Sequence, residues 1–284
     1  MYNILVTGAN GQLGNEIREL SGNYRYKFIF TNKNDLDITD TANLSRFFEN
    51  NKIDVVINCA AFTNVDKAEN NRALSMKLNC DAVRDLAVMT KRDNILLVHI
   101  STDYVFDGTK NTPYSEGDAP NPISVYGMTK YEGEKAILEN SNKAVIIRTS
   151  WLYSSYGSNF VKTIMRHARE KGALKVVYDQ IGTPTYAHDL ANAILNILPD
   201  IGNNNMEIYH YSNEGVASWY DFAKAIIDLA GISTRIEPIE TIDYPMPAKR
   251  PYYSVLNKTK VKKYFNVEIN HWYDSLKKCM EKLK

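Results

Sequence analysis

The stretch NILVTGANGQLG at residues 3–14 decides the fold that we predict for this chain of 284 residues. A short apolar run, NILVT, leads directly into GANGQLG, which carries three glycines at a spacing of three. Glycine tolerates positive φ and has no Cβ, so the backbone can approach a pyrophosphate at the N-terminus of the following helix. The alternative is a purely structural turn, but a strand–glycine–helix junction is the context that a dinucleotide site requires. We predict such a site at Gly8, Asn10, Gly11, Gln12, Leu13 and Gly14.

The pattern of apolar runs and helices continues outward from this junction. Four more short apolar runs follow, namely KFIFT (27–31), DVVIN (54–58), ILLVHIS (95–101) and AVIIRTS (144–150). They alternate little with polar residues, as expected of strands that are covered on both faces. Helical patterns separate them, at residues 12–20, 41–50, 70–91 and 124–140. This alternation predicts an α/β fold with a Rossmann-type, doubly wound parallel sheet. An antiparallel α+β fold is the alternative, but hairpin turn signals are missing.

The character of the chain changes after Trp151. We expect helices at residues 157–171, 187–198 and 216–230, strands at 174–178 and 235–239, and a loop at QIGTPT (180–185). We therefore predict a dinucleotide-binding domain over residues 1–150 and a smaller, mainly substrate-binding lobe over residues 151–284. Elements at about 187–215 are expected to pack back on the sheet.

Composition limits the kinds of partner. The formal charge of +1 argues against a non-specific nucleic-acid binder, which needs a basic surface. Cys59, Cys80 and Cys279 are far apart and form no CxxC motif, which fits a reduced, cytoplasmic setting and predicts no metal site. The N-terminus does not resemble a signal peptide, and no apolar run is long enough to span a membrane.

The end of the second predicted strand bears on the choice of nicotinamide cofactor. NAD-binding units often place an acidic residue there to hold the ribose 2′-hydroxyl, whereas this chain offers Thr31, Asn32 and Lys33. A 2′-phosphate would not be repelled, which slightly favours NADPH over NADH. Asp37 can contact the adenine amine or can be an ordinary acid near a helix N-terminus. After the third strand, the small side chains of Ala60 and Ala61 would let a cofactor lie across the strand ends.

Four tyrosine–lysine pairs are spaced by four residues, so that each pair shares one helix face. Such pairs arise readily by chance in a chain with 19 tyrosines, and location has to separate them. A carbonyl reductase needs its proton donor at the carboxyl edge of the sheet. Tyr126 lies in the first turn of a helix that returns to this edge, beside Thr102, and Lys130 follows on the same face one turn later. The other pairs, which we interpret as solvated helix faces, are Tyr131/Lys135, Tyr220/Lys224 and Tyr273/Lys277.

These three side chains predict a reduction. The Lys130 ammonium would lower the pKa of Tyr126 and bind the nicotinamide ribose. Tyr126 would donate its proton to the alkoxide that forms as hydride arrives. Thr102 would hydrogen-bond the carbonyl oxygen and orient it.

Further motifs carry a resemblance to a known family. STDYVFDG (101–108), YGMTK (126–130) and DQIGTPT (179–185) resemble the dTDP-4-dehydrorhamnose reductase family of extended short-chain dehydrogenases/reductases. NVDKAE (64–69), RTSWLY (148–153), NFV (159–161) and the RP pair at 250–251 extend the resemblance over nearly the whole chain. It implies an enzyme that uses NADPH or NADH to reduce the C4 keto group of dTDP-4-dehydro-L-rhamnose, for dTDP-rhamnose and cell-surface polysaccharide synthesis. It is compatible with a homodimer.

The resemblance also implies roles for individual residues. Gly11, Gln12 and Leu13 would follow the pyrophosphate, and Asp37 and Ile38 would contact the adenine. The adenosine side of the cofactor would be flanked by Ala60, Ala61 and Phe62. The sugar would be contacted by Thr102, Asp103, Trp151, Asn159 and Arg250. For Trp151 alone, a core aromatic is an equal interpretation.

Two other functions stay open. One is a reductase of another nucleotide 4-keto-6-deoxy sugar. The other is a non-catalytic subunit resembling the regulator of methionine adenosyltransferase, but a regulator has no need of the intact Thr102, Tyr126 and Lys130.

Overall fold

A computed structural model describes residues 2–202 and 206–283. Its strands are β1 (Asn3–Thr7), β2 (Lys27–Phe30), β3 (Val55–Asn58), β4 (Leu96–Thr102), β5 (Ala144–Thr149), β6 (Leu152–Tyr153), β7 (Ala173–Val177), β8 (Ile181–Gly182), β9 (Thr185–Tyr186), β10 (Met206–His210), β11 (Ala217–Ser218) and β12 (Arg235–Ile239). Six of them form a parallel sheet in the order β10-β5-β4-β3-β1-β2. The predicted fold class, a Rossmann-type parallel α/β sheet, is confirmed.

Helices connect the strands and cover both faces of the sheet. They are α1 (Gln12–Leu20), α2 (Thr41–Asn50), α3 (Val65–Asn70), α4 (Arg72–Met76), α5 (Ala82–Arg92), α6 (Val125–Asn140), α7 (Phe160–Glu170), α8 (Ala187–Ile197), α9 (Trp219–Ala230), α10 (Thr259–Phe265) and α11 (Trp272–Lys282). In the part of the chain that the structure describes, no helix has the length and apolar character needed to cross a bilayer.

The sheet has a separate hydrophobic core on each face. In β1, Ile4 and Val6 belong to one core, which α1 and α8 complete, whereas Leu5 belongs to the opposite core, with α2, α5 and α6. Successive side chains of a strand point to opposite faces, so a strand that is apolar throughout needs cover on both sides. Burial of both faces holds the strand ends in register at the carboxyl edge, where the site lies.

A third core lies in the second half of the chain. It joins α7, α9 and α11 through buried side chains such as Ile164, Phe222 and Leu276. Two elements of this half belong to the sheet instead, because α8 packs against α1 and β10 pairs with β5. The domain boundary near residue 150 stays a prediction.

Several predicted elements are wrong in detail. Residues 70–91 are not one helix, because a π-helical segment at Lys77–Asp81 separates α4 from α5. The predicted loop QIGTPT contains β8 and the start of β9. The helix predicted from residue 216 begins at Trp219, where Ser218 forms a capping box with Asp221.

A polar cluster around Glu16 of α1 joins the two halves of the molecule. The buried carboxylate of Glu16 accepts a hydrogen bond from Ser154 Oγ at 2.5 Å and lies 3.0 Å from Nδ1 of His188. Glu16, Glu19 and His188 form a group of side chains of the kind that can bind a metal ion. Their carboxylate oxygens and imidazole nitrogen lie within 4.8 Å of one another. The ammonium of Lys282 already pairs with both carboxylates of this group, at 3.8 Å from Glu16 and 2.6 Å from Glu19. The cluster therefore ties α11 to α1.

Candidate active site

One cavity of about 850 Å³ lies over the carboxyl ends of β1, β3, β4 and β5. It brings together fifteen of the residues that the sequence predicts. They are Gly8, Gly11, Gln12, Leu13, Gly14, Asp37, Ile38, Ala60, Ala61, Thr102, Asp103, Tyr126, Lys130, Trp151 and Asn159. The residues predicted to bind the cofactor and those predicted to bind the sugar therefore line the same cavity.

Three predicted residues lie outside this lining. Asn10 is exposed in the glycine loop. The backbone of Phe62 is held by Asn79, whose amide accepts from its N–H at 2.8 Å and donates to its carbonyl at 3.1 Å. The guanidinium of Arg250 pairs with Asp66 at 2.7 Å, so it fastens the second half of the chain to α3. Direct contacts of these three with a ligand stay predictions.

The glycine loop presents the start of α1 to the cavity. A Cβ at Gly14 would lie 2.5 Å from the Cα of Ala9, so only glycine lets the helix come this close to the turn. No side chain caps α1 at Gly11. The N–H groups of the first helical turn are thus left for a ligand, and the helix dipole favours an anionic one. This cradle fits a dinucleotide pyrophosphate.

The far end of the cavity, beyond β2, is lined by Asn32, Lys33 and Asp37. The Asp37 carboxylate accepts hydrogen bonds from the backbone and hydroxyl of Thr39, and these bonds lower its pKa against the effect of partial burial. Lys33 Nζ is exposed and lies 4.0 Å from Asp37. An exposed cation and an amide thus follow β2 directly, and the carboxylate of Asp37 is already hydrogen-bonded to Thr39.

Helix α6 brings Tyr126 to the end of β4. Ser124 caps the helix by accepting a hydrogen bond from the Gly127 N–H at 3.1 Å. A Cβ at Gly127 would lie only 2.1 Å from the carbonyl oxygen of Tyr104, so glycine is required for this close approach. The rings of Tyr104 and Tyr126 then meet edge to face, with centroids 5.7 Å apart.

Tyr126 is held in its protonated form. Burial raises its pKa to about 12, although a hydrogen bond with Thr102 opposes this effect. The expected lowering of this pKa by Lys130 is not found, because the side-chain nitrogen of the lysine is directed elsewhere. Lys130 Nζ donates to the carbonyl of Ile100 at 2.6 Å and lies 3.1 Å from Nε2 of His99. A protonated phenol beside a threonine hydroxyl suits a proton donor.

Lys130 is only 2% exposed, and burial lowers its pKa to about 8 against the raising effect of Glu134. Glu134 is itself fully buried and forms an ion pair with Arg148, at 2.6 Å. It also accepts a short hydrogen bond from Ser101, at 2.5 Å. The carboxylate is thus fully engaged beneath the site, and it joins α6 to β4 and β5.

Asp103 follows Thr102 at the end of β4 and is also buried. It accepts a hydrogen bond from the Thr102 hydroxyl at 3.1 Å. Burial raises its pKa to about 7, and hydrogen bonds from Ser254 and Thr102 only partly oppose this. The tyrosine, the threonine and this carboxyl group therefore share one poorly solvated corner of the cavity.

Trp151 also lines the cavity and has a φ of +47°, a conformation that is strained for a residue other than glycine. Its indole stacks on Trp219, with ring centroids 3.5 Å apart and planes 5° from parallel. Trp219 lines the cavity too, but the sequence analysis missed it because no motif links residues so far apart. Asn159 caps α7 and donates to Gln12 Oε1 at 2.9 Å, which couples the lobe to the glycine loop.

The other tyrosine–lysine pairs lie outside the cavity lining. Lys135, Lys224 and Lys277 form exposed ion pairs with acids on their own helices. The expectation was partly wrong for Tyr131 and Tyr220, since their rings pack against hydrophobic cores rather than facing only solvent. Tyr131 packs against the small core around Phe106, and Tyr220 packs against the core of the second half of the chain.

A Rossmann-type sheet whose carboxyl edge carries a glycine loop and a threonine–tyrosine–lysine group defines an oxidoreductase of the extended short-chain dehydrogenase/reductase class. Comparisons with known proteins narrow this class. The model of the RmlD substrate binding domain family matches residues 2–284. A dTDP-4-dehydrorhamnose reductase from Aggregatibacter actinomycetemcomitans is 42% identical over 287 residues, which cover 98% of each chain.

Solved structures agree with the sequence comparison. A crystal structure of a dTDP-4-dehydrorhamnose reductase from Clostridium acetobutylicum has a TM-score of 0.95 at 42% identity, and 99% of both chains is covered. The structure of the Bacillus anthracis enzyme in complex with NADP has a TM-score of 0.94 at 37% identity, with the same coverage. The chain belongs to the dTDP-4-dehydrorhamnose reductase family, so the resemblance seen in its motifs is confirmed.

Proposed function

We propose that this protein reduces the C4 keto group of dTDP-4-dehydro-L-rhamnose to give dTDP-L-rhamnose, with NADPH as the hydride donor. The observation that carries the proposal is the single cavity in which Thr102, Tyr126 and Lys130 face the glycine loop. A dinucleotide held by that loop and a keto sugar held beside Thr102 would meet there.

The residues of the cavity fit a nicotinamide dinucleotide. The uncapped start of α1 would hold the pyrophosphate, and Ala60 and Ala61 would flank the adenosine. When bound, the reduced nicotinamide supplies the hydride. Asn32 and Lys33 favour the phosphorylated form, because they offer hydrogen-bond donors and a positive charge to a 2′-phosphate. The NADP complex of the Bacillus anthracis relative supports this preference.

The protein's own part in the reaction is to orient the carbonyl and deliver a proton. The Thr102 hydroxyl would hydrogen-bond the keto oxygen and hold it next to the Tyr126 hydroxyl. Tyr126 would then donate its proton to that oxygen as the alkoxide forms. The Tyr126 hydroxyl carries this proton at neutral pH because burial raises its pKa to about 12. Lys130 in its ammonium form would stabilise the tyrosinate that remains.

The sugar would lie between this corner and the tryptophan wall. The flat, apolar stack of Trp151 on Trp219 suits contact with a sugar or base face. Asp103, which lines the cavity at the end of β4, would hydrogen-bond a sugar hydroxyl.

A panel of substrates and cofactors tests the proposal. NADPH and NADH oxidation would be followed by absorbance with dTDP-4-dehydro-L-rhamnose and with other dTDP- and UDP-4-keto-6-deoxyhexoses. We expect the highest kcat/KM for dTDP-4-dehydro-L-rhamnose with NADPH. A higher value for another sugar would reassign the substrate. Absence of turnover with every sugar, in protein that binds NADP⁺, would contradict the reductase and favour a binding subunit.

A further inference from the structure

A row of buried polar groups lies behind Lys130 and takes no part in the mechanism above. Lys130 Nζ is 3.1 Å from Nε2 of His99 on β4. Nδ1 of the same ring is 3.1 Å from the amide nitrogen of Asn58 on β3. His99 has no exposed surface and Asn58 has 1%. The positions of the protons in this row can be worked out from its fixed end.

The fixed end is the backbone N–H of Ala60, which lies 3.2 Å from Oδ1 of Asn58. A backbone N–H can only donate, so the atom that faces it must be the amide oxygen. The Thr7 hydroxyl also donates to this oxygen, at 2.6 Å. The Asn58 amide nitrogen must therefore face His99. Since an amide nitrogen only donates, Nδ1 of His99 has to be the unprotonated acceptor.

The remaining proton of His99 then lies on Nε2, which faces Lys130. A neutral imidazole carries one N–H, and burial holds the pKa of His99 well below its ordinary value, so the doubly protonated ring is excluded at neutral pH. A lysine ammonium has three donors and no lone pair, whereas a lysine amine can accept. The hydrogen bond between His99 and Lys130 is complete only when Lys130 is the amine.

We propose that His99 is a positioning residue for Lys130: Asn58 keeps the His99 proton on Nε2, and this N–H favours the amine form of Lys130 until a nucleotide binds. The proposal rests on the proposed function only for the later role of Lys130. In the nucleotide-bound protein, Lys130 turns its N–H groups away from Nε2 and takes up one proton from solvent. Above about pH 8, where the amine predominates in the nucleotide-free protein, the ammonium that Tyr126 needs is then formed together with the loaded site.

The charged groups around His99 and Lys130 do not outweigh the effect of these hydrogen bonds on the protonation of Lys130. On α6 the titratable groups nearest Lys130 are Tyr126, four residues earlier, and Glu134, four residues later, whereas Tyr131, Glu132, Lys135 and Glu139 are partly or fully exposed. On β5 the nearest cation is Arg148. Glu134 favours the ammonium of Lys130, but it is already paired with Arg148 at 2.6 Å. Asp103 at the end of β4 and Cys59 after β3 are neutral or partly neutral in this setting, because burial raises the pKa of each. The charged side chains of α5 lie towards the protein surface. Burial and the His99 N–H act in the same direction, in keeping with a Lys130 pKa near 8.

Nitrogen-15 NMR of the protein without nucleotide tests the proton position directly. The chain has five histidines, so a histidine-labelled sample gives few imidazole signals, and the signal that is lost in His99→Gln identifies His99. We expect the Nε2–H tautomer at neutral pH. The Nδ1–H tautomer or an imidazolium would overturn the proposal. This measurement involves neither substrate nor turnover, so its result is independent of whether the proposed function is correct.

Proton uptake on binding of NADP⁺ tests the consequence. Calorimetry at pH 8.5 in two buffers of different ionisation enthalpy should show an uptake of about 0.7 proton in the wild type, as expected of a group that titrates near pH 8. In His99→Gln the amide can turn its oxygen towards Lys130 and stabilise the ammonium, so uptake should fall at least threefold. His167→Gln, on α7, is the matched control and should behave as the wild type. Equal uptake in wild type and His99→Gln would overturn the proposal, and circular dichroism checks that each variant is folded.

Discussion

Helix α6 carries two tyrosine–lysine pairs with the same spacing and opposite surroundings. Lys130 is 2% exposed, and its Nζ contacts His99 and the carbonyl of Ile100 on β4. The Lys135 side chain is 41% exposed, pairs with Glu132 at 2.8 Å and lies over the ring of Tyr131 at 5.1 Å. Burial lowers the pKa of Lys130 to about 8, whereas the hydrogen bond with Glu132 raises the pKa of Lys135. The spacing is identical, yet the pKa values of the two lysines are shifted in opposite directions.

The comparison shows that a four-residue spacing provides proximity and little else. What distinguishes the first pair is the environment that Gly127 permits, because close approach of α6 to Tyr104 buries one face of the helix. The second pair keeps its hydration and its salt bridge. The difference between the pairs can be tested by matched substitutions on the two faces.

The largest expected effect comes from Tyr126→Phe, which removes the proton donor and keeps the ring. We expect kcat to fall by about 10³- to 10⁴-fold, which corresponds to roughly 4–5 kcal/mol of barrier. Tyr131→Phe is the matched control and should stay within twofold of the wild type. Steady-state NADPH oxidation measures both. A Tyr126→Phe enzyme of nearly normal rate would remove the distinction between the two pairs.

The next effect concerns stability and the acids on the two faces. Glu134→Gln leaves Arg148 charged and buried without its carboxylate, so we expect the free energy of unfolding to fall by roughly 3–5 kcal/mol. Glu132→Gln breaks only the exposed pair with Lys135 and should cost about 0.5 kcal/mol or less. Urea unfolding compares them. Equal losses in the two variants would show that burial does not separate the faces.

Sequence reasoning found the residues of the site because they follow the strand ends of a recognisable βαβ pattern. It placed Thr102 after β4 and Tyr126 in the first turn of α6, where motif and topology agree. It did not find His99 or Asn58, since their contact depends on the pairing of β3 with β4, in which these two residues are direct partners. Nor could it find Trp219, because only the packing of the second lobe brings that ring to Trp151.

The same reason explains the errors in secondary structure. Residues 70–91 have a continuous helical pattern, but the tertiary contacts of Asn79 override it. Its side chain holds both backbone groups of Phe62 and contacts Thr129 on α6, within a π-helical segment. A π-helical turn inside a helix is a local distortion that the spacing of apolar residues does not predict.

A further effect is expected in the pH dependence of stability, at the corner that Tyr126 shares with Asp103. The pKa of Asp103 is raised from 3.8 to about 7, so between these values the folded protein binds more protons than the unfolded chain. The free energy of unfolding should therefore fall as pH rises through this range, by up to about 1.4 kcal/mol for each pH unit. Asp103→Asn should remove this contribution.

Asp107→Asn is the matched control for that experiment. Hydrogen bonds lower the pKa of Asp107 to about 2, so its stabilising contribution is present above its ordinary pKa of 3.8 and is lost only as pH falls towards 2. The slope between pH 4 and pH 7 should be unchanged in this variant. Chemical denaturation at a series of pH values measures both slopes. An unaltered slope in Asp103→Asn would show that this corner is better solvated than its burial indicates.

The smallest effect is expected for Lys135→Ala, on the solvated face. The variant loses an exposed ion pair and a contact over the Tyr131 ring, but alanine has the highest helix propensity and offsets part of that loss. We expect the free energy of unfolding to change by less than about 0.5 kcal/mol and kcat/KM to stay within twofold. Denaturation and steady-state kinetics at two salt concentrations check this, because any residual contribution of an exposed pair should shrink as salt rises. A tenfold fall in kcat/KM would mean that the second pair takes part in the chemistry, and that burial does not identify the reactive lysine.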